Sequence, residues 1–229
     1  MRIGILCAGD RELAPFLQML TEDAVEETAL LSFHAGYLAE VAVIAVYSGV
    51  CKVNAAIAAQ LLISKYRCDA IISAGTAGGM DASLKVFDTV VSTEVAHHDV
   101  AAHILTEFHP WLKTPWFPAD ERLLAAARSV AEGLADVRFG RMATGESFIT
   151  DEGRADINDR FFPLSVDMES AAVAQVCYAN GVPFVAVRTM TDTPSQRGIG
   201  AFEENCTRAS QITAEFVCRM LHSLKEVSP

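Results

Sequence analysis

Positive charge is scarce in this sequence. Its 229 residues include 18 lysines and arginines against 29 aspartates and glutamates, which gives a formal net charge of −11. Binding to nucleic acid requires clustered Lys and Arg that neutralise phosphates, and here these residues are scattered. We therefore expect no nucleic-acid partner, and a sugar or nucleoside ligand with little negative charge fits the composition better.

Closely spaced cysteines and long apolar runs are also missing. The six cysteines lie far apart with no CxxC pair, which predicts neither a zinc site nor a disulfide framework. We expect them to be the reduced thiols of a cytoplasmic protein. No apolar run approaches the length of a membrane span, and the opening "MRIGILCAGDRE" becomes charged too soon for a signal peptide. The sequence therefore predicts a soluble protein without a membrane partner.

Short apolar runs alternate with helix-like patterns along the chain. The runs predicted to be buried strands span residues 2–8, 41–47, 69–75, 88–96, 137–144 and 184–190. Helices are predicted at residues 52–66, 119–134 and 168–181, and a last helix places Ile212, Phe216 and Met220 on one face. This alternation predicts an α/β fold, a three-layer sandwich with a mixed, largely parallel central sheet flanked by helices.

Two segments interrupt the regular alternation. The run "ETALLSFHAGYLAEVAVIAVY" contains a glycine that we interpret as a turn between two strands, so part of the sheet is expected to be antiparallel. Residues 97–118 are the least regular segment, with both tryptophans and three prolines. A long aromatic loop of this kind is usually functional or an interface. Because no linker, repeat or low-complexity tract is visible, a single domain over residues 1–229 is expected.

Polar or glycine-rich sequences follow four of the predicted strands. Since ligands of open α/β sheets bind beyond the carboxyl ends of the strands, these sequences are candidates for one shared site. They are "CAGDRE" with Glu12, "SAGTAGGM", "SVDMES" with Glu169, and "VRTMTDTP" with Arg188 and Asp192. Each also has an ordinary explanation, namely helix capping, a tight turn or a structural ion pair. "TGESFIT" adds Phe148 as a flat platform, unless its ring belongs to the core.

The glycine-rich sequence does not have the spacing of a dinucleotide-binding fingerprint. "SAGTAGG" is not GxGxxG, and no clear helix follows it. A nicotinamide-dependent dehydrogenase is therefore set aside, and no cofactor is expected. Adjacent His97 and His98 would point to opposite faces of a strand, so no metal site is predicted either.

Five strings of the sequence together resemble a known family. "MRIGILCAGDRE", "SAGTAGG", "TGESFI", "VDMESAAVAQVC" and "VPFVAVRTMTDTP", in this order, are similar to the nucleoside phosphorylase and nucleosidase superfamily. Within it the chain most resembles the 5′-methylthioadenosine/S-adenosylhomocysteine nucleosidases. The resemblance covers nearly the whole chain and is weakest over residues 97–118. It implies hydrolysis of 5′-substituted adenosines to adenine in methionine salvage, without a cofactor. It also implies a homodimer in which the partner subunit contributes part of the aromatic loop to the site.

The resemblance implies three catalytic residues. Asp192 would be the general acid that protonates the purine at N7, Glu12 the base that activates water, and Arg188 a group that holds Glu12 and the water. Breaking an N-glycosidic bond builds positive charge on the ribose and negative charge on the departing base. An acid beside the base and carboxylates around the sugar suit this chemistry.

Eight substrate-binding residues are implied in the same way: Glu169, Met168, Phe148, Ile149, Thr76, Gly78, Val50 and Phe202. Glu169 would accept hydrogen bonds from the ribose hydroxyls, and Phe148 would stack on the base. The backbone at Ile149 would read the Watson–Crick edge, and Thr76 would lie near the nucleophilic water. Phe202 would close over the sugar and the 5′ group.

Two alternatives stay open. A phosphorylase of the same fold would use phosphate instead of water, but "IISAGTAGG" lacks the arginine that precedes this sequence in related phosphorylases, and Glu12 would repel the dianion. A non-catalytic nucleoside-binding protein would have no reason to retain both an acid and a base. The 5′ substituent is also open, because Gly9 and Cys51 depart from the family pattern. Methylthioadenosine, S-adenosylhomocysteine, 5′-deoxyadenosine and a futalosine-type nucleoside all fit.

Overall fold

The computed structural model of this chain describes residues 1–108, 112–150, 152–196 and 198–227. Its strands are β1 (Arg2–Cys7), β2 (Thr21–Thr28), β3 (Leu31–Leu38), β4 (Val41–Tyr47), β5 (Ala70–Gly79), β6 (Thr89–His97), β7 (Trp116–Pro118), β8 (Val137–Thr144), β9 (Ser165–Asp167) and β10 (Phe184–Asp192). Its helices are α1 (Asp10–Met19), α2 (Lys52–Ser64), α3 (Ala102–Glu107), α4 (Glu121–Ala131), α5 (Arg154–Phe161), α6 (Ser170–Asn180) and α7 (Gly198–Val227).

All of these strands belong to one mixed sheet. Strand β5 pairs with β1 and β10 in parallel and with the short β9 antiparallel. Strands β5, β10, β6, β8 and β9 pair in a closed ring, and β1, β4, β3 and β2 extend the sheet outward from β5. The expected mixed sheet is confirmed, with antiparallel pairs where β2, β3 and β4 follow one another through short turns.

Helices cover both faces of the sheet, as the three-layer prediction requires. Because side chains alternate along a strand, Ile3 and Ile5 of β1 pack in the cluster that contains α1, α4 and α7, whereas Leu6 packs in the cluster that contains α2 and α6. The helices predicted around α2, α4, α6 and α7 are confirmed. None of the described helices is long and apolar enough to cross a membrane.

Two glycine predictions were wrong. The segment "SAGTAGG" forms the last seven residues of β5, not a turn, and pairs with β10 from Gly75 opposite Arg188 to Gly78 opposite Asp192, with a shift of register between Met190 and Asp192. Gly36 likewise lies inside β3 opposite Val43. A Cβ at Gly36 would lie 2.4 Å from the carbonyl oxygen of Thr21. Glycine is needed there for close packing, not for a turn.

Several short elements were not predicted. Helix α1 begins at Asp10, inside the string "CAGDRE", and the irregular segment 97–118 contains α3 and β7. The residues of this segment at positions 109–111, which include His109 and Trp111, lie outside the described part of the chain. Strand β10 also runs two residues further than predicted, so Asp192 is its last residue.

Candidate active site

A cavity of about 370 Å³ lies at the carboxyl ends of β1, β5 and β10. The start of α1, the loop after β8, the connection between β9 and α6, and the start of α7 complete its walls. This volume is in the range of small-molecule sites. Ten of the eleven predicted site residues line it: Glu12, Val50, Thr76, Gly78, Phe148, Ile149, Met168, Glu169, Asp192 and Phe202.

Glu12 lies in the first turn of α1 with both carboxylate oxygens engaged. Its Oε2 accepts hydrogen bonds from the backbone N–H groups of Ala8 at 2.7 Å and Gly9 at 3.2 Å. Its Oε1 accepts from the backbone N–H of Thr76 at 2.7 Å and from the Thr76 hydroxyl at 2.8 Å. A carboxylate with four donors is held in one orientation at the junction of α1 and β5.

The side chains packed against Gly75 explain why β5 has a glycine at this position. An added Cβ would lie 2.5 Å from Cδ and Oε1 of Glu12 and 2.7 Å from Nη1 of Arg188. No real Cβ tolerates such distances from a fixed side chain. Glycine at position 75 therefore lets a carboxylate and a guanidinium approach the strand from the two neighbouring elements.

Arg188, which was expected to hold Glu12 and the water, is not among the residues that line the cavity. Its side chain is fully buried, and its ion pairs run to Asp167 (Nε–Oδ2 3.0 Å) and Glu169 (Nη2–Oε2 3.6 Å), not to Glu12. Its Nη2 also donates to the hydroxyl of Ser73 at 3.1 Å. Burial by itself lowers the pKa of Arg188, but Asp167, Glu169 and Glu12 raise it more. The arginine stays charged and binds the carboxylates together.

Asp167 is a cavity residue that the sequence analysis missed. Its Oδ1 accepts hydrogen bonds from the Thr144 hydroxyl at 2.6 Å and from the backbone N–H groups of Glu169 and Ser170 at 3.2 and 3.1 Å. The Ser170 hydroxyl donates to its other oxygen. An aspartate just before a helix is a common cap, and the string "VDMES" carried this signal.

Glu169 stands at the entry to α6, as predicted, and is almost completely buried. The backbone N–H of Cys51 donates to its Oε1 at 3.0 Å, and that of Met168 donates to Oε2 at 3.3 Å. Burial raises the pKa of Glu169 to about 7, with Arg188 opposing this shift and Asp167 adding to it. The ion pair with Arg188 and the two backbone N–H donors favour the charged form of this carboxylate.

Asp192 lies at the end of β10, with the Thr191 hydroxyl 3.1 Å from its Oδ1. Burial raises its pKa to about 6, although the Thr191 hydrogen bond and the positive charge of Arg154 lower it. A carboxyl group whose pKa is raised toward neutral pH is protonated in a fraction of the molecules there and can act as a general acid. Arg154, which the sequence analysis also missed, is buried on α5 and donates from Nη1 to the carbonyl of Gly79 at 2.6 Å.

Two phenylalanines lie next to each other on one side of the cavity. The rings of Phe148 and Phe202 meet edge to face with centroids 6.2 Å apart. The guanidinium of Arg11 lies 5.3 Å from the centroid of Phe202 and forms an ion pair with Glu203. Aromatic side chains in such an arrangement can bind a flat base.

Comparisons with known proteins agree with this geometry. The family model of the phosphorylase superfamily matches residues 2–222. A 5′-methylthioadenosine/S-adenosylhomocysteine nucleosidase from an Exiguobacterium species is 39% identical over an alignment of 235 residues. The alignment covers 99% of this chain and 100% of that protein.

Solved structures give the same result. A nucleosidase of this name from Colwellia psychrerythraea 34H, in complex with adenine, has 36% identity and a TM-score of 0.88, covering 98% of this chain and 96% of that one. The enzyme from S. pneumoniae with the transition-state inhibitor MT-ImmA has 28% identity and a TM-score of 0.90, covering 98% and 100%. The resemblance found in the sequence is confirmed: this chain belongs to the phosphorylase superfamily and, within it, to the family of 5′-methylthioadenosine/S-adenosylhomocysteine nucleosidases.

Proposed function

We propose that this protein hydrolyses the N-glycosidic bond of 5′-substituted adenosines, chiefly 5′-methylthioadenosine and S-adenosylhomocysteine, to adenine and the 5-substituted ribose. The observation that carries the proposal is one cavity that contains both a carboxyl of raised pKa, Asp192, and a carboxylate fixed by four donors, Glu12. An acid and a base in one site are what hydrolysis of this bond requires.

Asp192 is the proposed general acid. Its raised pKa supports this role, because the group must carry a proton at the moment when the base departs. Transfer of that proton to N7 of the purine neutralises the negative charge that develops as the bond to the ribose breaks. Phe148 would stack on the base, and the backbone of Ile149, also in the wall, would bind its polar edge.

Glu12 is the proposed base for the attacking water. The Thr76 hydroxyl and three backbone N–H groups fix its carboxylate, which supports a role in orienting the water as well as accepting its proton. Fixed geometry of this kind saves the entropy of bringing the reactants together.

Glu169 is the proposed acceptor for the ribose hydroxyls, beside Met168. The positive charge that develops on the ribose in the transition state is stabilised by nearby carboxylates. Arg188 has a positioning role in this scheme, because it touches Asp167 and Glu169 from beneath the cavity. Its charge offsets the repulsion between these two acids.

We also propose a cytoplasmic homodimer that serves methionine salvage. Six free cysteines support a reducing compartment. Two large apolar side chains exposed on α2, Val53 and Ile57, support a protein–protein contact on that helix. Light scattering of the purified protein measures its mass directly, and a monomer at micromolar concentration would contradict the dimer.

The test of the function is adenine release from methylthioadenosine and S-adenosylhomocysteine, in phosphate-free buffer and again with phosphate. Adenine and a free ribose sugar without phosphate are expected. Release that requires phosphate and yields a sugar 1-phosphate would replace hydrolysis by phosphorolysis. No release from either nucleoside would reject the proposed reaction.

A further inference from the structure

Arg11 is the one cation among the described residues that line the cavity. The other charged side chains in the wall are all carboxylates, belonging to Asp10, Glu12, Asp167, Glu169 and Asp192. An anionic group on a ligand would be repelled along most of the wall and attracted at Arg11. Arg11 is therefore the side chain of this wall to which a substrate carboxylate would be attracted.

The guanidinium of Arg11 is held in a way that permits exchange of its partner. Nη1 and Nη2 lie 2.8 and 3.2 Å from the two carboxylate oxygens of Glu203, and the side chains of Arg11 and Glu203 are 40% and 57% exposed. Ion pairs this exposed contribute little to stability. A ligand carboxylate can therefore replace Glu203 at little cost, and it would meet the same two parallel N–H donors.

The cavity wall is open at Gly9, close to Arg11 in the sequence. A Cβ placed on Gly9, two residues earlier in the wall, would have no atom within 4 Å. Phe202, which the family resemblance assigns to the sugar and 5′ group, lies under the Arg11 guanidinium. A 5′ substituent that extends past Phe202 would reach this space.

We propose that Arg11 binds the carboxylate of an amino-acid 5′ substituent, as carried by S-adenosylhomocysteine, and so sets the preference for this substrate over one with an uncharged substituent. The inference rests on the proposed function and names the substrate class that the site prefers. Asp10, exposed in the same wall, is a suitable partner for the ammonium group of such a substituent. Glu203 then acts as a competitor that occupies Arg11 in the free enzyme.

The test compares two thioethers that differ only in the carboxylate: S-adenosylhomocysteine and its decarboxylated analogue, which ends in an aminopropyl group. The measured quantity is the ratio of kcat/KM for the first substrate to that for the second. Arg11→Met should lower this ratio about tenfold, the size expected for one charged hydrogen-bond pair. Glu203→Gln should raise the ratio because it removes the competitor, and Arg11→Lys should give an intermediate value.

The ratio separates recognition of the carboxylate from other effects. Loss of the contact between Arg11 and Phe202 would slow both substrates and cancel in the ratio. A ratio that stays within about twofold of wild type in Arg11→Met, or a ratio that falls in Glu203→Gln, would overturn the inference. The second variant keeps the test decisive should the first fail to fold. Absence of adenine release from both thioethers by the wild-type enzyme would instead overturn the proposed function.

Discussion

Thr76 and Glu12 are joined by two hydrogen bonds that end on the same carboxylate oxygen. The backbone N–H and the hydroxyl of Thr76 lie 2.7 and 2.8 Å from Oε1 of Glu12. One bond depends on the path of β5, and the other depends on the side chain. The chain thus fixes its proposed base from a strand that lies 64 residues away in sequence.

The hydroxyl bond can be removed without removing the backbone bond. Thr76→Val keeps the shape of the side chain but leaves Oε1 with one donor, and we expect kcat to fall about 5- to 10-fold, the worth of about 1–1.4 kcal/mol. Thr76→Ser keeps the hydroxyl and should retain most of the activity. Equal kcat values for the valine and serine variants would show that the hydroxyl does not orient Glu12.

Asp192→Asn and Glu12→Gln should each remove a proton-transfer group without a large change of shape. We expect kcat for methylthioadenosine to fall about 10²- to 10⁴-fold in each variant. Binding of the nucleoside, measured by calorimetry, should survive because Phe148 and Glu169 are unchanged. Substantial turnover by Asp192→Asn would exclude this residue as the acid, whatever its pKa.

Arg154 should keep the pKa of Asp192 lower than burial alone would set it. Its positive charge stabilises the Asp192 carboxylate, whose pKa is about 6 with the arginine in place. Arg154→Gln should therefore raise this pKa, so that Asp192 keeps its proton to higher pH. A ¹³C NMR titration of aspartate carboxyls measures the shift, with Asp192→Asn identifying the signal.

Arg154→Lys is the matched control, because it preserves the charge. In Arg154→Lys, the pKa of Asp192 should lie closer to the wild-type value than it does in Arg154→Gln. An Asp192 signal that titrates at the same or lower pH in Arg154→Gln would contradict this account.

Cys51 has a backbone conformation that residues other than glycine rarely adopt, with φ +84° and ψ 162°. Its backbone N–H nevertheless donates to Glu169 at 3.0 Å. Cys51→Gly should remove a backbone strain of about 1–3 kcal/mol from the folded state. Glycine also gives the unfolded chain more freedom, which lowers the gain in free energy of unfolding by about 0.5–1 kcal/mol. We expect Tm to rise by about 2–4 °C for each kcal/mol gained, with KM unchanged because the N–H remains. Cys51→Ala retains the strain, so an equal rise in that variant would refute the explanation.

Local patterns were sufficient to predict some elements but not others. β4 and β8 were predicted with their observed limits, because seven or eight residues of strand-forming sequence are bounded by clear breaks. The end of β5 was mistaken for a turn because the reason for Gly75 is not local. It lies in Glu12 and Arg188, which approach Gly75 from distant parts of the chain.

The site shows the same division. Glu12, Glu169 and Asp192 lie at strand ends or helix starts, where the sequence alone predicts a ligand-binding site. All three line the cavity. Arg154 gave no such signal, because its contact is with the carbonyl of Gly79, 75 residues away. The partners of Arg188, which are Asp167 and Glu169, lie between the end of β9 and the start of α6, and no single segment of the sequence shows that this connection meets β10.

The way in which the cavity is assembled has a consequence for folding. Glu12 meets Thr76 across 64 residues, and Cys51 meets Glu169 across 118. Contacts that close such long loops form late, since the chain must lose entropy before they contribute. No fragment that ends before β10 contains all the carboxylates of the site. During refolding, turnover should therefore return after helical content, and its recovery measures the time at which the closed ring of strands is completed.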